Sequence, residues 1–324
     1  MARSIVRDLA RLAPAAGLLG GCMVRVPEPP PEAGEWDWNW AVDRDELPDG
    51  TLRVLHVGTV RMRERQVIAG GSREELEGLI TVLLLEHPVQ GLVLIDTGYG
   101  RRSAVDLSDY PGRLPSKFLG IDVIRPAADA LEDLGYLPDD VWHVVLTHGH
   151  MDHIGGVEDF PLAEIHADGE EWAACQHSHL TQGYVPDPYL HRDAIPVLWE
   201  ETAYGPFPRH ADLFGDGSVI LLPAPGHTVG SLMVLVNLAG GSVLYTGDAA
   251  WVDENWRDPV PKGFLARTVV ETDWRAGMDA LWRVRAWAAR NPDLRVIAGH
   301  DPANLALPSW PDALIGADAM AMPN

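Results

Sequence analysis

Five short apolar segments share one property that constrains the fold: each leads to a histidine or an aspartate. Runs this short, bounded by glycine and proline, indicate buried strands rather than helices. Polar residues at the ends of neighbouring strands are expected to gather along one sheet edge, where layered α/β folds build their active sites. The segments and the polar residues they lead to are Leu92–Ile95 with Asp96, Val141–Leu146 with Thr147 and His148, Val219–Leu222 with His227, Val243–Gly247 with Asp248, and Arg295–Gly299 with His300.

Other segments predict the elements between and beside these strands. Apolar residues recur at helical spacing in Arg125–Leu134 and in Asp273–Arg290, and proline or glycine marks their ends. The segment Leu232–Tyr245 turns at Ala239–Gly241, which predicts an antiparallel hairpin. The sequence therefore predicts an α/β protein whose sheets are not purely parallel.

The first 50 residues differ from the rest of the chain. They hold a leader and a proline-rich linker, and we expect a single catalytic domain over residues 51–324. Three arginines precede a weakly apolar stretch that ends at Cys22. This pattern fits either a leader on a cytoplasmic protein, which we expect, or a bacterial lipoprotein signal over residues 1–22 with a lipid anchor at Cys22.

Composition limits the kinds of molecule that the protein is expected to bind. The 324 residues carry a formal net charge of −22. A surface this acidic repels phosphate backbones, so we expect no nucleic-acid partner. The two cysteines cannot form a disulfide framework. No apolar run reaches the length of a membrane-spanning helix.

The segment Thr147–Gly156 carries the strongest chemical signal. It places His148, His150, Asp152 and His153 within six residues, directly after a predicted buried strand. Imidazole and carboxylate ligands together suit zinc, iron or manganese. We expect the first two to face one metal ion and the last two to face another. The remaining histidines are expected to be ordinary core or surface residues: His56, His87, His143, His166, His177, His179, His191 and His210.

The motif His148-x-His150-x-Asp152-His153 resembles the signature of the metallo-β-lactamase superfamily, and the resemblance extends over about residues 51 to 305. It implies a four-layer αββα sandwich with mixed sheets, two divalent metal ions, most often Zn²⁺, and a bridging hydroxide. By resemblance, the remaining motifs supply Asp96, which orients ligands, His227 in Pro-Gly-His-Thr-x-Gly-Ser, Asp248 in Thr-Gly-Asp, and His300 in Gly-His.

The resemblance also implies how the ligands divide. One ion is held by three histidines, the other by an aspartate and two histidines, and Asp248 bridges both. The two sets are His148, His150 and His227 for the first ion, and Asp152, His153 and His300 for the second.

Two branches of the superfamily resemble this chain closely. Glyoxalase II, a thioester hydrolase, shares the histidine motifs, but the 24 residues after His300 contain no lysine or arginine that would anchor glutathione. The N-acyl-homoserine lactonases are similar over Asp248–Trp256 and in the ending Gly299-His-Asp301. They usually carry tyrosine where this chain has Trp251, whose indole N–H can donate a hydrogen bond but cannot act as acid or base.

We therefore predict a dinuclear-metal hydrolase that opens an N-acyl-homoserine lactone by attack of the bridging hydroxide. Asp152 or Asp248 would carry the proton to the leaving oxygen, and Trp251 and Met151 would contact the substrate. A homodimer fits this assignment. The alternatives are a glyoxalase II-like thioester hydrolase and a metal-binding scaffold without catalysis. Aromatic residues that either line an acyl pocket or pack in the core are Trp251, Trp256, Tyr184, Tyr189 and Tyr204.

Overall fold

The computed structural model describes Pro29, Trp36, Trp40 and residues 43–177, 183–185 and 191–307. The predicted leader with Cys22, most of the predicted proline-rich linker, Tyr189 and residues 308–324 lie outside the described residues, so the lipid-anchor hypothesis stays a prediction. Within the described ranges, no helix combines the length and the apolar character needed to cross a membrane.

The first sheet has seven strands in the order β4-β1-β2-β3-β5-β6-β7. The first two strands form a long antiparallel hairpin, whereas β3, β5, β6 and β7 run parallel to one another. The centre of β2 is apolar without alternation, as expected for a strand covered on both faces. The strands are β1 (Thr51–Arg63), β2 (Glu75–His87), β3 (Gly91–Ile95), β4 (Ile121–Asp122), β5 (Val141–Val145), β6 (Glu164–Ala167) and β7 (Ala194–Pro196).

The second sheet has five strands in the order β12-β11-β10-β9-β8. The predicted hairpin is present, with Leu238 opposite Gly241 at its turn. The last two strands of the chain, β11 and β12, are parallel, so both sheets are mixed, as predicted. The strands are β8 (Ala211–Asp212), β9 (Val219–Pro223), β10 (Leu232–Leu238), β11 (Gly241–Tyr245) and β12 (Leu294–Ile297).

Helices cover the outer faces of the two sheets. The predicted helix near residue 125 spans Ala127–Asp133, and the one near residue 273 begins after Asp273, whose side chain accepts hydrogen bonds from two backbone amides of the first turn. The helices are α1 (Glu64–Val67), α2 (Arg101–Val105), α3 (Arg113–Leu119), α4 (Ala127–Asp133), α5 (Met151–Ile154), α6 (Gly169–His177), α7 (Asp253–Arg257) and α8 (Trp274–Arg290). Single helical turns of other types span Ser108–Gly112, Pro138–Asp140, Val157–Asp159, Gly247–Ala249, Ala266–Val270 and Pro302–Ala306.

Three apolar clusters define four layers. The inner cluster joins the facing sides of the two sheets, with Leu85 and Val145 on one side and Val234 and Ile297 on the other. A second cluster packs α4 on the outside of the first sheet, and a third packs α8, through Trp287, on the outside of the second sheet. This arrangement is the αββα sandwich that the sequence predicted.

Candidate metal centre

The carboxyl ends of four strands bring the predicted ligands together. Asp96 follows β3, His148 follows β5, Asp248 follows β11 and His300 follows β12, while His227 lies on the loop after β9. Every predicted ligand belongs to one of two groups, in each of which the candidate ligand atoms lie within 4.8 Å of one another. The groups are His148, His150, His227 and Asp248, and Asp152, His153 and His300.

Asp248 faces both groups from a buried position. Its Oδ2 lies 3.2 Å from Nε2 of His227, and its Oδ1 lies 3.2 Å from Nε2 of His153 and 3.0 Å from Nε2 of His300. The neighbouring backbone leaves room for this carboxylate only because Gly299 has no side chain: a Cβ there would stand 2.6 Å from Oδ1. Oδ1 therefore faces His153 and His300, and Oδ2 faces His227, with Nε2 of His300 also 3.3 Å from Oδ2.

Asp96 holds the histidine loop in place. It is the only described non-glycine residue with a positive φ, 62°, which turns the chain sharply at the end of β3. Its Oδ2 lies 2.7 Å from Nδ1 of His153, and its Oδ1 accepts a hydrogen bond of 2.8 Å from the backbone N–H of Thr147. A carboxylate on one imidazole nitrogen fixes the ring and directs the other nitrogen inward. From this position Asp96 can orient His153, and its role in metal binding stays a prediction.

His300 is oriented by a residue that the sequence did not single out. Its Nδ1 lies 2.7 Å from the backbone carbonyl oxygen of Leu79, in the middle of β2. The carbonyl accepts the Nδ1 proton, which leaves Nε2 directed at Asp248. The long β1–β2 hairpin thus contributes a main-chain contact to the centre.

The charges of the buried histidines divide according to their neighbours. Burial, together with neighbouring histidines or Lys262, holds the pKa values of His148 and His227 well below the ordinary value. Burial also opposes protonation of His153 and His300, but the Asp248 carboxylate outweighs it and raises the pKa of both. The Asp248 carboxylate thus favours the charged form of His153 and His300, whereas burial favours the neutral form of His148 and His227.

This donor set fits a divalent metal ion. Nε2 of His148 is buried and has no hydrogen-bond partner among the residues that the structure describes, and the nearest oxygen of Asp248 is 3.9 Å away. A neutral imidazole nitrogen left unpaired in the interior is costly unless something binds its lone pair. Histidine and aspartate ligands without thiolates suit zinc and related transition metals.

Trp251 contacts the same aspartate. Its indole Nε1 donates a hydrogen bond of 2.7 Å to Oδ2 of Asp248. The buried Lys262 lies beneath, with Nζ donating to the backbone carbonyl of Asp248 at 2.7 Å and to Glu271 at 2.6 Å. The same ammonium group stands 5.1 Å from the Trp251 ring centroid, within cation–π range. Lys262 was not predicted, because nothing in its neighbouring sequence marks it.

Glu171 in α6 joins the two loops that carry the first group of histidines. Its Oε1 accepts hydrogen bonds from the Gly149 N–H at 2.8 Å and the Tyr184 hydroxyl at 3.0 Å, and its Oε2 accepts one from the Gly230 N–H at 2.9 Å. Burial raises the pKa of this carboxyl group. The Tyr184 ring in turn packs against His150, with ring centroids 5.2 Å apart. Glu171 was not predicted as a site residue; its position soon after a strand end was the available signal.

A cavity of about 500 Å³ opens onto the centre. Trp251 and Met151, the predicted substrate contacts, are among the residues that line it. Of the other predicted aromatic residues, Tyr204 and Trp256 pack in the outer apolar cluster around α8, and Tyr184 is buried beside Glu171. The rest of the wall is largely apolar and comprises Val60, Met62, Leu114, Pro115, Leu119, Leu265, Ala266, Val269 and Val270, with Arg61 and Gln66.

A fold of two mixed sheets with a histidine–aspartate cluster at their strand ends defines a metal-dependent hydrolase, and comparison with known proteins gives its family. Residues 77–300 match the profile of the metallo-beta-lactamase superfamily. The chain belongs to this superfamily.

Individual relatives agree with this assignment. The chain is 31% identical over 251 residues to a probable metallo-hydrolase of Mycobacterium tuberculosis, covering 69% of this chain and 75% of that protein. It is 28% identical over 260 residues to the N-acyl homoserine lactonase AttM of Agrobacterium fabrum, covering 79% of this chain and 95% of AttM.

Solved structures share the fold. An N-acyl homoserine lactone hydrolase with N-hexanoyl-L-homoserine bound at its catalytic metal centre aligns with a TM-score of 0.62 and 22% identity, over 80% of this chain and 96% of that chain. The dizinc quorum-quenching lactonase AidC aligns with a TM-score of 0.56 and 18% identity, over 82% of this chain and 90% of its own.

Proposed function

We propose that this metallo-hydrolase holds two divalent metal ions, with Zn²⁺ as the expected metal, and opens the ring of a lactone, with N-acyl-homoserine lactones as the preferred substrate class. The observation that carries the proposal is the position of Asp248, whose two carboxylate oxygens face two separate groups of candidate ligands. The similarity to the lactonase AttM over nearly all of AttM supports the substrate class.

The proposed ligands form two sets. One ion would be held by His148, His150 and His227, the other by Asp152, His153 and His300, with Asp248 shared between them. When bound, a pair of such ions lowers the pKa of water enough to supply a nucleophile at neutral pH and polarises the carbonyl group that is attacked.

The protein's own residues prepare this chemistry. Asp96 and the Leu79 carbonyl fix the rings of His153 and His300. Asp152 lines the cavity, and its side chain is about one-fifth exposed, so it or Asp248 can pass a proton to the oxygen that leaves as the ring opens. An alkoxide is a poor leaving group, and a proton donor beside it lowers the barrier.

Trp251 and Met151 would position the substrate. Both line the cavity beside the candidate ligands. The indole N–H of Trp251 donates a hydrogen bond to Asp248, so we propose that Trp251 holds this carboxylate in place and presents its ring to the bound lactone. The largely apolar wall beyond it suits an acyl chain, and Arg61 is the one lysine or arginine among the described residues that line the cavity. A glutathione group, with two carboxylates, would find little compensating charge there.

A substrate panel tests the proposal. We expect the metal-loaded enzyme to hydrolyse N-acyl-homoserine lactones with a kcat/KM at least tenfold higher than that for S-lactoylglutathione, a difference of about 1.4 kcal/mol in transition-state binding. Enzyme stripped by chelation is the control and should be inactive on both. Equal or faster turnover of the thioester would assign the chain to the glyoxalase II-like branch, and loaded enzyme inactive on every ester would indicate a scaffold without catalysis.

A pair of variants tests the shared aspartate. Asp248→Asn removes the charge that faces both groups and should lower both kcat and the number of bound metal ions. His177→Gln is the control, because His177 is exposed and, among the residues that the structure describes, its Nδ1 contacts the carbonyl of Ala173 in the same helix. Unchanged metal content in the Asp248 variant would contradict a shared ligand.

A further inference from the structure

Three further side chains of ligand type meet on the β5–β6 pair, outside the centre described above. In the parallel register, His143 lies opposite Glu164, and Val145 lies opposite His166. Nδ1 of His143 is 3.0 Å from Nε2 of His166 and 3.6 Å from Oε2 of Glu164. All three candidate ligand atoms lie within 4.8 Å of one another.

These side chains share the inner face of the first sheet. Alternation along β5 puts His143 on the same side as Val145, which belongs to the core between the sheets, while Ile165 in β6 points outward and leaves Glu164 and His166 inside. Phe214 covers the cluster, with its ring centroid 5.1 Å from that of His143. The histidines are therefore shielded, but the Glu164 side chain is 60% exposed and opens the cluster to solvent.

The two imidazoles are suited to bind a metal. Burial lowers the pKa of His143 and lowers that of His166 to about 4, so both rings are neutral at physiological pH. Neutral imidazole is the form that coordinates metal ions. The candidate ligands of the first group offer a comparison within the same molecule, because Nδ1 of His150 lies 2.9 Å from Nε2 of His227. The nitrogen–nitrogen spacing in the two places is nearly equal.

Nearby His87 provides a contrast. Its Nδ1 accepts hydrogen bonds from the backbone N–H groups of Val89 and Gln90, and its Nε2 lies 3.2 Å from Oδ2 of Asp216. The backbone thus engages Nδ1 of His87, and Nε2 faces a carboxylate. The pair on β5 and β6 instead points two ring nitrogens at each other and towards a carboxylate.

We propose that His143, Glu164 and His166 bind a further divalent transition-metal ion of the zinc class. Tetrahedral zinc with bonds of about 2.0–2.1 Å to nitrogen separates its ligand nitrogens by roughly 3.3–3.4 Å, so the two rings need to part by only a few tenths of an ångström. The exposed Glu164 swings in as the third ligand, and water from the open side completes the shell. The proposal replaces the expectation, from sequence, that His143 and His166 are ordinary.

Such an ion would cross-link β5 and β6 close to the loop that begins at Thr147 and carries the first candidate ligands. The residue after β5, Leu146, donates its N–H to the carbonyl of His166 at 2.9 Å, and the loop with the first candidate ligands begins at Thr147. Zinc bound across β5 and β6 is expected to stabilise this edge of the fold. An ion that binds only the native state stabilises it by an amount that grows with the logarithm of one plus the ratio of the free ion concentration to the Kd.

The test counts zinc ions on the full-length protein. Equilibrium dialysis against zinc should give one more ion per chain for the wild type than for Glu164→Gln or His166→Gln. His177→Gln is the matched control and should bind as the wild type does. Glu164→Gln changes an exposed side chain and is expected to fold normally, so it keeps the test valid if the buried substitution does not fold.

A second measurement separates this site from the catalytic centre. Raising the zinc concentration after the catalytic centre is full should raise the melting temperature of the wild type. Glu164→Gln should need at least about tenfold more zinc to reach the same rise. Equal zinc counts and equal sensitivity in wild type and variants would show that the two histidines simply share a hydrogen bond, and would overturn the proposal. Either result leaves the lactone test unaffected.

Discussion

Replacing the buried Glu171 by glutamine tests how the first group of histidines is held. The carboxylate accepts three hydrogen bonds, from Gly149, Gly230 and Tyr184. The Tyr184 hydroxyl can reverse its role and accept from the new amide, but the N–H of Gly149 or Gly230 must then face an N–H group. One buried amide left unpaired costs about 1–3 kcal/mol, which is the expected loss in the free energy of unfolding measured in urea.

The same substitution should loosen the metal centre. Gly149 lies between two candidate ligands and Gly230 lies three residues after His227, so the substitution weakens a hydrogen bond to one or other ligand-bearing loop. We expect metal affinity to fall by at least about tenfold, the usual cost of losing a residue that orients ligands. Glu170→Gln is the control, because Glu170 is the exposed neighbour in the same helix. If the two variants unfold within about 0.5 kcal/mol of each other and bind metal equally, the hydrogen bonds of Glu171 do not hold these loops.

Four further substitutions probe separate contacts. Asp96→Asn should weaken metal binding by about 10- to 100-fold in a competition assay with a chelator, and unchanged affinity would refute its orienting role. Trp251→Tyr should alter lactone kcat/KM while metal content stays the same, whereas identical kinetics would place the indole outside the substrate site. Lys262→Met leaves the nearly buried Glu271 without its partner and should cost about 3–5 kcal/mol in urea unfolding, so a loss below about 1 kcal/mol would argue against a buried pair. Burial lowers the pKa of His87 below its ordinary 6.5, against the opposing effect of Asp216, so the unfolded chain takes up a proton first as the pH falls. The free energy of unfolding should therefore decrease as the pH drops below about 6.5. His87→Gln should make this decrease shallower between pH 7 and pH 5, and an equal slope in wild type and variant would exclude His87 as its source.

The sequence predicted the features that depend on residues close to one another in the chain. Strand ends followed by histidine or aspartate identified the edge where the candidate ligands meet, because a short apolar run and the residue after it are neighbours in the chain. The hairpin over Leu232–Leu238 and Gly241–Tyr245 and the helix capped by Asp273 followed from turn and capping residues in the same way. The family motifs supplied the order in which the ligands combine.

The contacts that the sequence did not predict join distant segments. Leu79 reaches His300 across 221 positions of the chain through its backbone, so no side chain marks it. Glu171 and Lys262 are ordinary charged residues in sequence, and only burial against the loops gives them a role. The pairing of His143 with His166 depends on the register of two parallel strands, which spacing alone does not fix.

The crystal structure of the zinc-loaded protein, with anomalous scattering measured at the zinc edge, tests the two-metal centre most directly. Within this centre, and apart from any peak at His143, Glu164 and His166, we expect two peaks that share Asp248. One should lie within about 2.0–2.2 Å of ligand atoms of His148, His150 and His227 and the other within that distance of Asp152, His153 and His300. A single peak in the centre, or two peaks there that do not share the aspartate, would contradict the two-metal proposal.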